Sequence, residues 1–176
     1  MSIEQALQFT LKAEGTFTVD DGGPTMYGVT QSVYDAYRAS KHRSTQSVEL
    51  ISQEELKDIE IDNYWNPAGC GYLPDNLAIC HFDWAYNHGV SGAIYDLQQV
   101  LRIPADGILG PVTIKSFLNT TNSMVIPYLQ KRKSVYHSLV KENSEKYERY
   151  LVGWLDRVNQ LQDYIERLIV EKNIKN

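Results

Sequence analysis

Apolar residues open the chain at helical spacing, with Ile3, Ala6, Leu7, Thr10 and Leu11 falling on one face. Ser2 and Gln5 read as a capping box starting that helix, which the pattern ends at about Glu14-Gly15. The periodicity then changes. From Thr16 to Thr30, β-branched and aromatic residues alternate with Gly and Asp, so a small hairpin or irregular loop is predicted. Thr30 is placed to cap a short helix through Tyr37, whereas Ser40 to Ser47 is polar and patternless and reads as a flexible surface loop. Ser52 and Glu55 form a second capping box for a helix reaching about Trp65, and Pro67, Gly69, Gly71 and Pro74 break the chain beyond it. Leu77 to Asn87 is apolar on nearly all sides, as a central buried helix requires.

A further helix is predicted from about Ser91 to Leu101. Asp106-Gly107 is a turn signal, and Gly110-Pro111 puts proline in a helix first turn, where its missing N–H costs nothing. From Asn122 onward the pattern gives long helices carrying Leu129, Tyr136, Leu139, Tyr147, Leu151, Trp154, Leu155, Leu161 and Leu168, with Gly153 as a candidate break. Trp154 and Arg157 are expected to pack the last helix on the body. With no internal repeat, low-complexity tract or linker, the expectation is one domain over residues 1–176. Its fold class is mainly α, with a small β-hairpin or loop excursion near the N-terminus. Residues 1–90 hold the candidate chemistry and 91–176 form a helical part.

A chain of 176 residues is long enough for one well-buried core. Its net charge of −5 argues against general affinity for nucleic acid or anionic lipid, leaving Lys131, Arg132 and Lys133 as a local basic patch. Twelve tyrosines and three tryptophans exceed what an aliphatic core needs; filling the core is favoured over holding sugar faces. Cys70 and Cys80 make neither a disulfide framework nor a CxxC pair and read as buried free thiols of a reducing compartment. Cys80, His81 and His88 lack a recognised zinc-ligand spacing, so neither metal nor cofactor is expected. The first residues have no basic n-region or apolar h-region, and no window has the apolar length of a membrane span. Synthesis in the cytoplasm is the expectation, with release by another agent and a monomer by default.

The chemistry concentrates at the start. Glu14, at the end of an apolar helix, would be partly desolvated and would face helix carbonyls; both effects raise a carboxyl pKa and suit a general acid. Asp20 and Asp21 stand in a glycine-rich, solvated turn, where a carboxylate stays ionised and can stabilise positive charge or orient a water. Thr25 supplies a hydroxyl that could hold that water. Two carboxyl groups in different environments are what acid-catalysed glycoside cleavage uses. An ordinary helix-end acid followed by an ordinary turn remains the competing reading.

Glu14-Gly15 with Asp20-Asp21-Gly22-Gly23-Pro24-Thr25-Met26-Tyr27-Gly28-Val29-Thr30 resembles the EGG…D-x-GG-x-T-x-x-G-I-T signature of the glycoside hydrolase family 108 muramidases. Tyr64-Trp65 and Phe82-Asp83-Trp84-Ala85-Tyr86-Asn87-His88-Gly89 resemble the same family's YW…fD-x-a-x-N-x-G segment. Leu97-Gln98-Gln99-Val100-Leu101 with Asp106-Gly107-Ile108-Leu109-Gly110-Pro111-Val112-Thr113 is similar to its LQxxL…DGxxGPxT block, often labelled peptidoglycan-binding, and Gly153-Trp154-Leu155-Asp156-Arg157 to its GW-x-x-R motif. The resemblance implies a lysozyme-like helical fold. It also implies cleavage of the β-1,4 bond between N-acetylmuramic acid and N-acetylglucosamine in bacterial peptidoglycan, without a cofactor. It places the catalytic roles on Glu14, Asp20 and Thr25. The segment between Glu14 and Asp20 is shorter than in the family pattern, and Thr16 replaces its second glycine, which keeps Asp21 as a rival to Asp20.

Tyr27, Asp83 and Asn87 are the candidate substrate contacts. Asp83 and Asn87 lie four apart on one helix face, able to bond acetamido groups or, alternatively, to act as buried polar residues that fix helix ends. The Asp106-Gly107…Gly110-Pro111 block is adequately explained as a turn and a capped helix, a reading favoured over contact with glycan. An endolysin released by a holin, acting on the cell wall, is the implied setting. A non-cutting peptidoglycan-binding module and a lytic transglycosylase that forms anhydro ends are the alternatives.

Overall fold

The computed structural model describes residues 2–13, 17–20 and 23–174. The first helix, α1 (Ser2–Ala13), leads into a small sheet of β1 (Phe17–Asp20), β2 (Gly23–Met26) and β3 (Val29–Thr30), antiparallel in that order. Next come α2 (Gln31–Ser40), a 3-10 turn (Val48–Leu50) and α3 (Gln53–Glu60), which runs into a π-helical turn at Ile61–Trp65. A second 3-10 turn (Cys70–Tyr72) precedes α4 (Asp75–His88) and α5 (Val90–Val100). The chain ends in α6 (Pro111–Leu118), α7 (Val125–Glu142) and α8 (Ser144–Ile174). The fold is mainly α with a small antiparallel sheet near the N-terminus. Among the described residues no helix is long and apolar enough to cross a membrane.

Two hydrophobic clusters organise these elements. The smaller gathers Val29, Tyr34, Tyr37, Val48, Ile51, Leu56 and Ile59 under the sheet, α2 and α3. The larger is built around α4, whose residues Leu77 to Ala85 are all buried, with α1, α5, α7 and α8 packed about it. Leu11 of α1 touches both clusters. Helix α1 therefore stands at the seam between the sheet-bearing part and the helical body, and the chain just after it is where the candidate acid falls.

Two of the predicted caps form, at α3 and α2. Ser52 and Glu55 form a reciprocal capping box, the Ser52 hydroxyl accepting from the Glu55 N–H at 3.1 Å and the Glu55 carboxylate from the Ser52 N–H at 3.2 Å. Thr30 caps α2 by accepting from the Val33 N–H. The polar segment from Ser40 to Ser47 is not free. Gln46 donates to the Tyr34 hydroxyl at 2.6 Å, Arg43 bonds the Glu55 carboxylate at 3.0 Å, and Arg38 donates to the Ser44 carbonyl. Burial opposes the charge on Glu55, but Tyr34, the Ser52 N–H, Arg43 and Arg38 outweigh it and hold the carboxyl below its usual range.

Two other expectations change. Gly153 does not break the last helix; α8 runs through it for 31 residues. The break falls at Asn143, whose φ of −150° leaves the helical region while its carboxamide oxygen accepts from the Lys146 N–H at 3.1 Å and caps α8. Lys131, Arg132 and Lys133 do not form one basic patch either. Successive helical residues point about 100° apart, so Arg132 is fully buried while Lys131 approaches Asp96 at 3.5 Å and Lys133 bonds Asn159 at 2.7 Å.

Candidate functional site

The sheet fixes where the candidate residues after α1 stand. Antiparallel register pairs Thr18 with Thr25 and Thr25 with Thr30, so three threonines cross the sheet in one row with half-buried Thr25 at the centre. Asp20 closes β1 opposite Gly23, at the register position two along from Thr18. Glu14 and Asp21 lie outside the described residues, as does the side chain of Asp20.

The turn joining β2 to β3 is Tyr27-Gly28, with φ of 50° and 80°. Positive φ at both central residues is the two-residue hairpin loop whose twist matches the flanking strands. Helix α4 presses directly on it. The Tyr86 hydroxyl donates to the Tyr27 carbonyl at 3.3 Å, and a Cβ added to Gly28 would lie 1.7 Å from that hydroxyl. The Tyr86 ring is hemmed in by Tyr64, at 5.0 Å between centroids, so it has little room to retreat. The Gly28→Ala protein is expected to lose about 2–4 kcal/mol, combining a left-handed backbone with an overpacked contact. Urea unfolding reads this, and a Tyr86→Phe background, which removes the clashing oxygen, should return part of the loss.

Tyr27 borders a hollow of about 460 Å³ with Leu7, Leu11, Lys12, Gln53 and Lys57. A larger hollow of about 1050 Å³ lies between α1 and α8, edged by Phe9, Tyr164 and Arg167. It shares Gln8 and Lys12 with the first but holds none of the motif residues described so far.

Asp83 sits elsewhere. It is 0% exposed, and its carboxylate accepts from Arg132 at 2.8 Å, from Arg157 at 2.8 Å and from the Thr10 hydroxyl at 3.0 Å. Burial works against the charge, but Arg132 and Arg157 outweigh it and hold the carboxyl below its usual range. In this structure Asp83 is a buried carboxylate inside α4, bonded to α1, α7 and α8. Asn87, four residues on, is exposed and donates to the Asp83 carbonyl at 2.6 Å. It keeps a surface position open to a ligand.

The remaining motifs have structural partners. Gln98 is fully buried and donates to Asp106 at 2.8 Å and to Thr113 at 2.9 Å, while its oxygen accepts from the N–H groups of Asp106 and Gly107. One glutamine thus ties together the Leu97-Gln98 and Asp106…Thr113 halves of that block as a turn and a capped helix. Trp154 stacks on Tyr136 at 4.8 Å, securing α8 to α7. Cys80, His81 and His88 are not assembled. His81 has Nδ1 on the Tyr128 hydroxyl and Nε2 on the Ala68 carbonyl, and burial pushes its pKa down to about 4. His88 stacks instead on Trp84 at 4.3 Å.

The glycosyl hydrolase 108 family model matches residues 7–89, a segment that runs from α1 through Glu14, Asp20, Thr25 and Tyr27 to the end of α4. Over that segment, just under half of the chain, the sequence is similar to the glycosyl hydrolase 108 family. Among solved structures, Brucella abortus SagA is similar over 94% of this chain and 94% of its own, with 21% identity and a TM-score of 0.72. That likeness extends the shared fold past residue 89 to α5–α8, and the fold is lysozyme-like. No curated protein matches the chain.

The family 108 match supports a glycoside hydrolase directed at peptidoglycan. It also shows what reading the sequence missed. Arg157 lies outside the family 108 segment and Thr10 and Asp83 within it, yet the three form one buried cluster. A carboxylate on a helix apolar all round needs a buried cation. That rule could have pointed to an arginine in the later helices, although not to which one.

Proposed function

We propose that this chain is an N-acetylmuramidase of the family 108 type that hydrolyses the β-1,4 bond between N-acetylmuramic acid and N-acetylglucosamine. The observation that carries the reading is the family match over residues 7–89, which encloses Glu14, Asp20, Asp21 and Thr25. Glu14 acts as general acid and protonates the glycosidic oxygen as the bond to the anomeric carbon breaks. The carboxylate of Asp20, with Asp21 as its rival, stabilises the positive charge that develops there or orients the attacking water. Thr25 holds that water; its place at the centre of the threonine row, one strand over from Asp20, supports the role. Water delivers hydroxide to the anomeric carbon, and its proton restores the acid. Tyr27 and Asn87 contact the glycan.

The substrate is the glycan strand of the bacterial wall rather than nucleic acid, and the protein works as a monomer without a cofactor. As an endolysin it is made in the cytoplasm and reaches the wall through a holin or another route. Digestion of purified peptidoglycan by the wild-type protein, with fragments read by mass spectrometry, tests the reaction. Reducing N-acetylmuramic acid ends are expected. Anhydro ends would assign a lytic transglycosylase instead, and failure to release any fragment would leave a binding module.

A further inference from the structure

The Asp83 cluster joins four helices at one carboxylate: Thr10 of α1, Asp83 of α4, Arg132 of α7 and Arg157 of α8. Taking a carboxylate and a guanidinium fully out of water costs several kcal/mol each, and a well-packed apolar set of the same volume would hold helices together at least as well. Stability alone therefore does not explain the cluster. Directional bonds do something apolar contacts cannot, which is to fix rotation and height of one helix against another.

Position gives that fixing a purpose. Thr10 is fully buried on the face of α1 otherwise occupied by Ala6 and Leu7, and its hydroxyl is the polar exception there. It stands one helical turn before Glu14 in the chain. Arg157 meets Asp83 through both Nη2, at 2.8 Å to Oδ1, and Nε, at 3.2 Å to the same oxygen, a planar grip that resists rotation. Three residues along α4, on the neighbouring side of the same turn, Tyr86 holds the Tyr27 carbonyl and abuts Gly28. One turn of α4 thus references both the helix that leads to Glu14 and the hairpin turn that follows Thr25.

We propose that Asp83 is a positioning residue for cleavage: through Thr10, and held by Arg132 and Arg157, it sets where α1 delivers Glu14 relative to the threonine-bearing hairpin. The inference rests on the general-acid role given to Glu14 above. A displacement of about 1 Å at such a site costs up to about 100-fold in rate.

Thr10→Val removes the hydroxyl while keeping shape and burial, and Thr10→Ser keeps the hydroxyl. Arg157→Lys keeps the charge but not the planar grip, and it stands in should Thr10→Val fail to fold. Each variant, with Glu14→Gln alongside, is assayed for kcat and KM on solubilised glycan strands and for its thermal midpoint. The expected result for Thr10→Val is a kcat lowered between about 10- and 100-fold at nearly unchanged KM and midpoint, largely restored in Thr10→Ser. Arg157→Lys should show the same split to a smaller degree. Wild-type kcat in folded Thr10→Val, or a loss confined to KM, would overturn the positioning role while an inactive Glu14→Gln left the general acid standing. An active Glu14→Gln protein would overturn the general acid, and the inference with it.

Discussion

The Asp83→Ala protein is expected to be less stable than wild type by about 3–5 kcal/mol, the cost of leaving a buried charge without its partner. Arg132 decides the size of the loss. It is 0% exposed, packs its guanidinium 4.6 Å from the Trp84 ring centroid, and has Asp83 as its carboxylate partner. Arg157, with 16% of its side chain exposed, can turn towards water once released. Urea unfolding should show the midpoint falling with little change in slope, since the surface exposed on unfolding stays nearly the same. Adding Arg132→Met removes the stranded cation and should return a large part of the loss. An Asp83→Ala midpoint equal to wild type would mean that water or a neighbour replaces the carboxylate.

Glu14→Gln should lower the rate of peptidoglycan cleavage by about 10²–10⁴-fold, the span general acid catalysis contributes. Glutamine keeps the size and hydrogen-bonding reach of the side chain but has no proton to give at neutral pH. Glu14→Asp keeps the acid on a shorter arm and should fall between the two. The aspartates separate in the same assay. Asp20 ends a strand in register beside the threonine row, whereas Asp21 follows that strand, so Asp20→Asn should slow cleavage more than Asp21→Asn. The reverse order would move the second carboxylate to Asp21.

What the sequence made legible follows the range of the forces involved. Thr30, the Ser52–Glu55 box and the Asp106…Pro111 block act within a few residues, and each does in the fold what its spacing foretells. The buriedness of α4 could be read because an apolar residue on every side leaves no face for water. Gly153 misled because propensity is a weak prior. A helical glycine costs about 1 kcal/mol, and the packing of Trp154, Val158, Leu161 and Ile165 outweighs it. The third strand was hidden in two residues, since only the Tyr27-Gly28 turn and the α4 tyrosine behind it make Val29–Thr30 pair. Least legible was the bond between Asp83 and Arg157, which spans 74 positions and has no local signature. The same holds for the candidate site. Its candidate residues fall within one short stretch, Glu14 to Thr25, and show as a motif, while the framework proposed to hold them comes from distant helices.

The two cysteines carry a consequence of their own. Cys70 and Cys80 are fully buried, and burial, the largest influence on each, lifts the Cys80 thiol to about 12 and also raises that of Cys70. A thiol that stays protonated and screened is inert to oxidants and alkylating reagents alike. The fold therefore shields both sulfurs from oxidants in its surroundings. Because nothing short of opening the α4 core uncovers these sulfurs, each of them keeps time on that opening, and their slow chemical labelling counts how often the molecule comes apart.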